Sequence, residues 1–266
     1  MNKIVLPKKL KPYHLDKSNL IRIGPKKDGG YVIDKRVIDN TDIIITCGLN
    51  DDWEFEKDFI NKNKNSRVEA YDHTVDTKFW LKRLKKDLIS FLMLKKNTPN
   101  KILGIFKYLS YLSFFRGKNK HYMKKIVFQK EDGDKQVTLS EAIGDNNNIL
   151  LKIDIEGDEF KILSEINKNL DRINLLIIEF HNLSFQQNLR QVEKFIENTM
   201  LKNIHINANN YAMVDENGIP QVIEMTFINP KRFEITNEIT KRSYPIEGLD
   251  FKNHKSGPEI KLKFDE

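Results

Sequence analysis

The constraint that narrows this chain most is the stretch 149–160. Ile149, Leu150, Leu151 and Ile153 are apolar around a single Lys152. Such a run reads as a strand buried on both faces, as in the interior of a parallel sheet. Carboxylates at Asp154, Glu156, Asp158 and Glu159 then crowd around Gly157, and Phe160, Ile162, Leu163 and Ile166 follow at helical spacing. The acids therefore sit where a buried strand ends and a helix begins. In open α/β sheets the ligand crevice lies just outside such strand ends. One acid would satisfy the helix N-terminus and its dipole, so the surplus points to a chemical role for at least one of Asp154 and Glu156.

A chain of 266 residues fits one α/β domain over 1–266 carrying an insertion. Its single cysteine, Cys47, excludes a disulfide framework and a multi-cysteine zinc site. The segment Met1–Pro7 has no apolar signal core, and no run reaches the roughly 18 apolar residues of a membrane span. A cytoplasmic setting is the expectation. The net charge of +7 suits an anionic partner, yet Lys, Asn and Ile are all abundant, which is the mark of a general bias. No nucleic-acid-binding module is recognisable, and no nucleic-acid partner is expected. Oligomeric state is not legible.

Alternating apolar residues around Asp28-Gly29-Gly30 predict a hairpin ending in Tyr31-Val32-Ile33. Two glycines before Tyr31 would also let backbone approach a ligand. Asp42–Thr46 predicts a buried strand, followed by the turn Cys47-Gly48-Leu49-Asn50-Asp51 and a helix capped by Asp51 or Asp52. The turn lacks the G-x-G-x-x-G of a pyrophosphate cradle and carries acids, which fits a ligand bearing an ammonium group. A second strand, Val68–Tyr71, ends in Asp72 and His73, roughly 20 residues later. An acid there accepts hydrogen bonds from ribose hydroxyls in nucleoside-binding folds; a helix cap is the plain alternative.

From Trp80 to Lys125 the chain is strongly basic and interleaved with apolar residues, which predicts two or three amphipathic helices inserted before a strand at Ile126-Val127-Phe128. A core-facing stripe, a cap over the site and a membrane-surface helix all remain open for 80–125. Thr138–Ile143 reads as a capped short helix. Ile173–Phe180 is another buried strand, closing on Glu179, His181 and Asn182, with Glu179 and His181 on one face. A helix at Gln191–Met200 and strands at Ile204–Tyr211 and Gln221–Ile228 complete the pattern, the last two forming an antiparallel edge hairpin. The tail 229–266 is expected to pack along the surface. Strand and helix alternate, so the expected fold is a Rossmann-like, mostly parallel α/β sheet with helices on both faces.

With these pieces in order, the chain resembles the FkbM-type family of S-adenosylmethionine-dependent methyltransferases, which have the class I fold. The resemblance rests on Leu151-Lys152-Ile153-Asp154-Ile155-Glu156-Gly157-Asp158-Glu159 above all. Asp28–Val32, Thr46-Cys47-Gly48 with Phe55-Glu56, Ala70–Thr74, Ile178–His181, Ala208–Tyr211 and Glu224–Phe227 support it, spanning about Ile21 to Ile228. The cofactor turn departs from the pattern by lacking the usual second glycine, and 80–125 lies outside the matched motifs. The resemblance implies O-methyl transfer to a hydroxyl of a small polar acceptor, such as a sugar or a phosphorylated or nucleotide-activated precursor of a surface polysaccharide. It implies cofactor contacts from Gly30, Tyr31, Cys47, Gly48, Leu49, Asp51, Asp72, His73 and Asp154. Asp154 would also serve catalysis, with Glu156 or His181 as general base, and His205, Asn209 and Asn210 would meet the acceptor. Asp154, Glu179 and His181 would also suit Mg²⁺ or Mn²⁺. Two other readings stand beside this one. One is a nicotinamide-dependent oxidoreductase, disfavoured by the missing phosphate glycines. The other is a non-catalytic module whose basic insert binds a membrane surface or an acidic polymer.

Overall fold

Seven strands assemble into one sheet: β1 (Ile43–Cys47), β2 (Arg67–Tyr71), β3 (Lys120–Tyr122), β4 (Ile149–Ile153), β5 (Ile173–Phe180), β6 (Lys202–Ala208) and β7 (Ile223–Ile228). The coordinates are a computed structural model and describe residues 5–92, 98–131, 134–212, 214–216 and 218–265. The spatial order is β6-β7-β5-β4-β1-β2-β3. Pairs among β1 to β5 are parallel, and β7 runs antiparallel to both β5 and β6. This is a Rossmann-like α/β fold with the expected antiparallel edge hairpin. Every residue of β1, β4, β5 and β7 is buried, so both faces of the sheet are covered. Isoleucine and leucine fill these strands because branched side chains pack well on a pleated surface. Each such burial contributes about 1.5–3 kcal/mol.

Chain order reverses between β1 and β4. From β1 the chain moves to β2 on one side, and it later returns to β4 on the other. The connections after these two strands therefore diverge and leave a crevice at their carboxyl ends. At this junction the Asp154 amide donates to the Cys47 carbonyl at 2.8 Å. Gly48 sits at φ +84°, and a Cβ placed there would lie 1.6 Å from the Asp154 carbonyl oxygen. Gly48 is thus required by the fit of two strand ends.

The helices are α1 (Glu54–Lys62), α2 (Thr77–Leu92), α3 (Thr98–Phe114), α4 (Leu139–Ile143), α5 (Glu159–Lys168) and α6 (Gln186–Asn198). Asp52 accepts from the Glu54 amide at 2.9 Å at the head of α1. Thr138 and Glu141 form a reciprocal capping box on α4. The hairpin pairs Leu20–Ile23 with Tyr31–Asp34, carries Asp28 in its turn, and is tied to β7 by the Thr226 hydroxyl donating to Val32 O at 2.8 Å. Among the described residues the basic insertion contains two helices, α2 and α3. They seat on the turn after β1 through Trp53, Trp80 and Tyr111, with Trp53–Tyr111 and Trp80–Tyr111 centroids 5.6 and 5.0 Å apart. Lys95 and Lys96 of the basic run, and Asp132 and Gly133 of the later loop, lie outside the described residues. Among the described residues no helix is long and apolar enough to cross a membrane.

Two expectations are corrected. The strand after the insertion is Lys120–Tyr122, and Lys125–Val127 instead pairs in parallel with Gln136–Thr138, apart from the main sheet. The tail does not merely skirt the surface: Tyr244, Ile246, Ile260 and Leu262 are buried, and Asn253 is 4% exposed. Its apolar residues alternate too irregularly to announce a core element.

Gly48→Ala should destabilise the fold by at least about 2 kcal/mol through strained φ and overlap with the strand end. Gly117, also at positive φ but with open space around a Cβ, is the control and should lose only about 1–2 kcal/mol. Urea unfolding of both variants checks this; equal losses would discard the steric account.

Candidate functional site

A cavity of ≈ 650 Å³ opens at the carboxyl ends of β1, β2 and β4. Its wall includes Gly48, Leu49, Asp51, Asp72, His73, Asp154 and Glu156, with Tyr31 and Asp28 from the hairpin. Arg83 and Lys107 reach it from the insertion, Lys124 and Lys125 from the segment after β3, and Tyr211 from beyond β6.

Asp72 shapes the β1 turn. Its Oδ2 accepts from the Leu49 and Asn50 amides at 2.9 and 2.7 Å, and its Oδ1 from the Thr74 amide and hydroxyl at 2.7 and 2.6 Å. Burial pushes this carboxyl up, but the four donors outweigh burial and hold it below the usual aspartate range. A carboxylate has about four acceptor positions, so the expected ribose contact competes with donors already in place. Two amides of the turn are likewise spent on Asp72, so the turn is no anion cradle.

The insertion closes over the same turn. Asp51 forms ion pairs with Arg83 and, at 3.3 Å, with Lys107. It lines the cavity, but as a neutralised partner of the insertion and not as an open acid awaiting an ammonium. Cys47 faces the core: it is fully buried, and burial pushes its thiol up to about 12. Only its backbone serves the site, through the bond to Asp154. Gly30 also stands off the wall, packed so tightly against the Pro25 carbonyl and the Arg22 guanidinium that a Cβ would overlap both.

At the end of β4 the chemistry concentrates. Asp154 and Glu156 face the cavity, and His181, at the end of neighbouring β5, lies behind them. The His181 Nε2 is 3.8 Å from Asp154 Oδ1, 3.7 Å from Glu156 Oε2 and 3.9 Å from Glu179 Oε1. On its other side Glu159 Oε1, fully buried, accepts from the His181 amide at 2.6 Å and sits 3.1 Å from Nδ1. Glu159 Oε2 accepts from Gly157 N at 2.8 Å. Read as a helix-capping acid, Glu159 is in fact the group that fixes the imidazole. Burial pulls the His181 pKa down, and the bond to Glu159 with the surrounding acids raises it further still, above the ordinary value. The cavity wall strips most water from the Asp154 carboxyl; that desolvation, with Glu156 and Asp28 nearby, prevails over Lys152 and His181 and raises it to about 6.

Beneath the cavity lies a network that local sequence does not announce. Asn209 donates to Glu179 at 2.8 Å and to Asp28 at 3.3 Å. Asn253, from the tail, donates to Asp28 at 2.9 Å and to Glu224 at 2.6 Å, and Asn207 donates to Glu224 at 3.0 Å. Burial, with Asp154 next, raises Glu179 well above a normal glutamate, and burial raises Glu224 to about 7. Lys152, alone in its apolar strand, meets Glu56 at 3.4 Å, and Glu56 also accepts from the Thr46 hydroxyl at 2.7 Å.

The residues expected at the acceptor are placed elsewhere. His205 is buried against Asp250, 3.0 Å away, under the tail. Asn210 bonds the His254 and Pro258 carbonyls at 2.9 and 3.0 Å. Asn209 supports Glu179 from behind. All three answer to the tail or the acid network, whose positions no local pattern reveals.

No protein-family model matches the chain, and no curated protein matches it. Among solved structures it is similar to the methyltransferase FkbM from Methylobacillus flagellatus KT, at 12% identity over 70% of this chain and 44% of that one, TM-score 0.40. It is also similar to precorrin-6y C5,15-methyltransferase from Geobacter metallireducens GS-15, at 9% identity over 73% and 87% of the two chains, TM-score 0.36. A third is the S-adenosylmethionine-dependent methyltransferase SibL, at 8% identity over 73% and 52%, TM-score 0.32. The chain thus spans less than half the length of the FkbM structure. At overlaps this loose, none of their chemistry transfers to this chain.

Asp72→Ala should cost about 2 kcal/mol of stability at pH 7, because charge-assisted bonds to the turn are lost. The folded carboxyl is depressed, so its contribution is full above the unfolded aspartate pKa of about 3.9 and fades as pH falls through the lower folded value. Urea midpoints of wild type and variant should therefore converge between pH 4 and the acid limit; a gap that persists unchanged would remove Asp72 as the clamp.

Proposed function

We propose that this chain is an S-adenosylmethionine-dependent methyltransferase acting on a hydroxyl of a small polar acceptor. The observation that carries the reading is the cavity itself. It sits at the reversal point of a Rossmann-like sheet, has acids at the ends of β2 and β4, and offers no free amide cradle for a pyrophosphate. That wall suits a nucleoside ligand carrying positive charge better than a nicotinamide dinucleotide. A volume of ≈ 650 Å³ lies within the range of cofactor and small-molecule sites.

Gly48, Leu49, Asp72, His73, Tyr31 and Asp154 would hold the cofactor. When bound it would supply a methyl group on a sulfonium sulfur. The chain's own contribution is to hold and deprotonate the acceptor. Asp154 and Glu156 hold the hydroxyl at the end of β4, and its proton passes to this carboxylate pair. His181, held by Glu159, lies behind both carboxylates, its Nε2 3.8 and 3.7 Å from them. The insertion covers the cofactor turn by packing Trp80 and Tyr111 against Trp53. Arg83, Lys107, Lys124 and Lys125 give the cavity a basic side, which favours an anionic acceptor such as a phosphorylated or nucleotide-activated sugar.

Calorimetric titration of the purified chain with S-adenosylmethionine should show saturable micromolar binding, and transfer of labelled methyl to phosphorylated sugars should follow. Asp154→Asn should lower kcat about 10²–10⁴-fold with the fold intact by circular dichroism. Absence of cofactor binding would refute the reading outright.

A further inference from the structure

The cluster behind the cavity is poorly explained as a set of hydrogen bonds. Glu159 is acceptor-only as a carboxylate, so the bond at 3.1 Å assigns the proton of the neutral imidazole to Nδ1 and leaves the Nε2 lone pair facing outward. That lone pair faces carboxylate oxygens of Asp154, Glu156 and Glu179 at 3.7–3.9 Å. These separations are beyond hydrogen-bond length. His181 is 9% exposed, so water does not relieve the arrangement freely. What a lone pair and the neighbouring Asp154 and Glu156 oxygens share is an affinity for a cation between them.

We propose that Asp154, Glu156 and His181 form a divalent-cation site of the Mn²⁺ and Mg²⁺ class. One donor atom from each of the three lies within 4.8 Å of the others. With metal–donor bonds of about 2.0–2.1 Å, octahedral donors lie about 3 Å apart when adjacent and about 4.2 Å apart across the ion, so each carboxylate must close on the imidazole by about 1 Å, a movement within reach of side-chain rotation. Glu156, with its side chain 84% exposed, is free to make that adjustment. Glu159 supplies the carboxylate that a metal-bound histidine characteristically has behind it, fixing tautomer and ring angle. Carboxylates suit Mg²⁺, Ca²⁺ and Mn²⁺, while imidazole suits the transition ions; Mn²⁺ accepts both. Because Asp154 and Glu156 line the cavity, the ion keeps an open side there. It holds an acceptor oxygen while each carboxylate retains a second oxygen for the departing proton. The binding of the ion stands independently of methyl transfer; its role toward an acceptor hydroxyl rests on that reading.

The test uses the full chain, freed of metal with chelator and without S-adenosylmethionine. Free Mn²⁺ is followed by electron paramagnetic resonance during titration. The expected result is about one ion bound per chain, displaced by excess Mg²⁺. Glu159→Gln should weaken it about 10–100-fold, and Asp154→Asn and His181→Gln should each abolish it, with urea midpoints confirming folded protein. A free-ion signal that wild type leaves unchanged up to millimolar Mn²⁺ overturns the proposal, as does binding that survives both Asp154→Asn and His181→Gln. Cofactor titration is read separately, so failure of the methyltransferase reading would not be mistaken for absence of the ion.

Discussion

The rest of the structure depends on the junction of β1 with β4. One backbone bond, from Asp154 to Cys47, and one missing Cβ, at Gly48, bring the two strand ends into contact. That contact aims Asp154 into the crevice while the chain on the β1 side turns away toward α1. The reversal of strand order creates the crevice, and this junction decides which side chains face it. Asp72 then secures the β1 turn from the side, and the insertion secures it from above through Asp51.

A second constraint is electrostatic. Asp28, Glu179 and Glu224 are brought together beneath the cavity, and asparagine amides bridge them where salt bridges would be the usual remedy. An amide donor stabilises a carboxylate less than a cation does, so burial prevails and Glu179 and Glu224 are pushed upward. Lys152 is handled differently: it pairs with Glu56, which the Thr46 hydroxyl holds in place. Among the described residues the interior thus compensates Lys152 by charge at the sheet centre and holds the acids at its edge with neutral amides.

Much of the fold was legible because it is written locally. The runs at 43–47, 149–153 and 173–180 are continuous apolar segments of strand length, and the acids after Ile153 mark a strand end without help from tertiary structure. The parity of Glu179 and His181 placed both on one face, beside Asp154. The misreadings share a cause. His205 and Asn210 were expected to meet the acceptor, but their partners, Asp250 and the 254–258 backbone, lie more than 40 residues away in an irregular tail. Cys47 ends a strand whose inward face it shares, so its thiol is lost to the core. Glu159 looks like any acid in a first helical turn; only the fold shows that it holds His181. Asn253 and Asp28 are 225 residues apart, and no periodicity signals their meeting.

That last separation bears on how the molecule comes into being. The acids of the hairpin, of β5 and of β7 emerge during synthesis well before the amide that links Asp28 to Glu224. Until residue 253 arrives, the underside of the cavity is a group of facing carboxylates without one of its bridging donors. The strands of the sheet itself end at residue 228. The polar floor of the cavity is therefore closed by a residue far beyond the last strand of the sheet, so the site depends on the tail as well as on the strands.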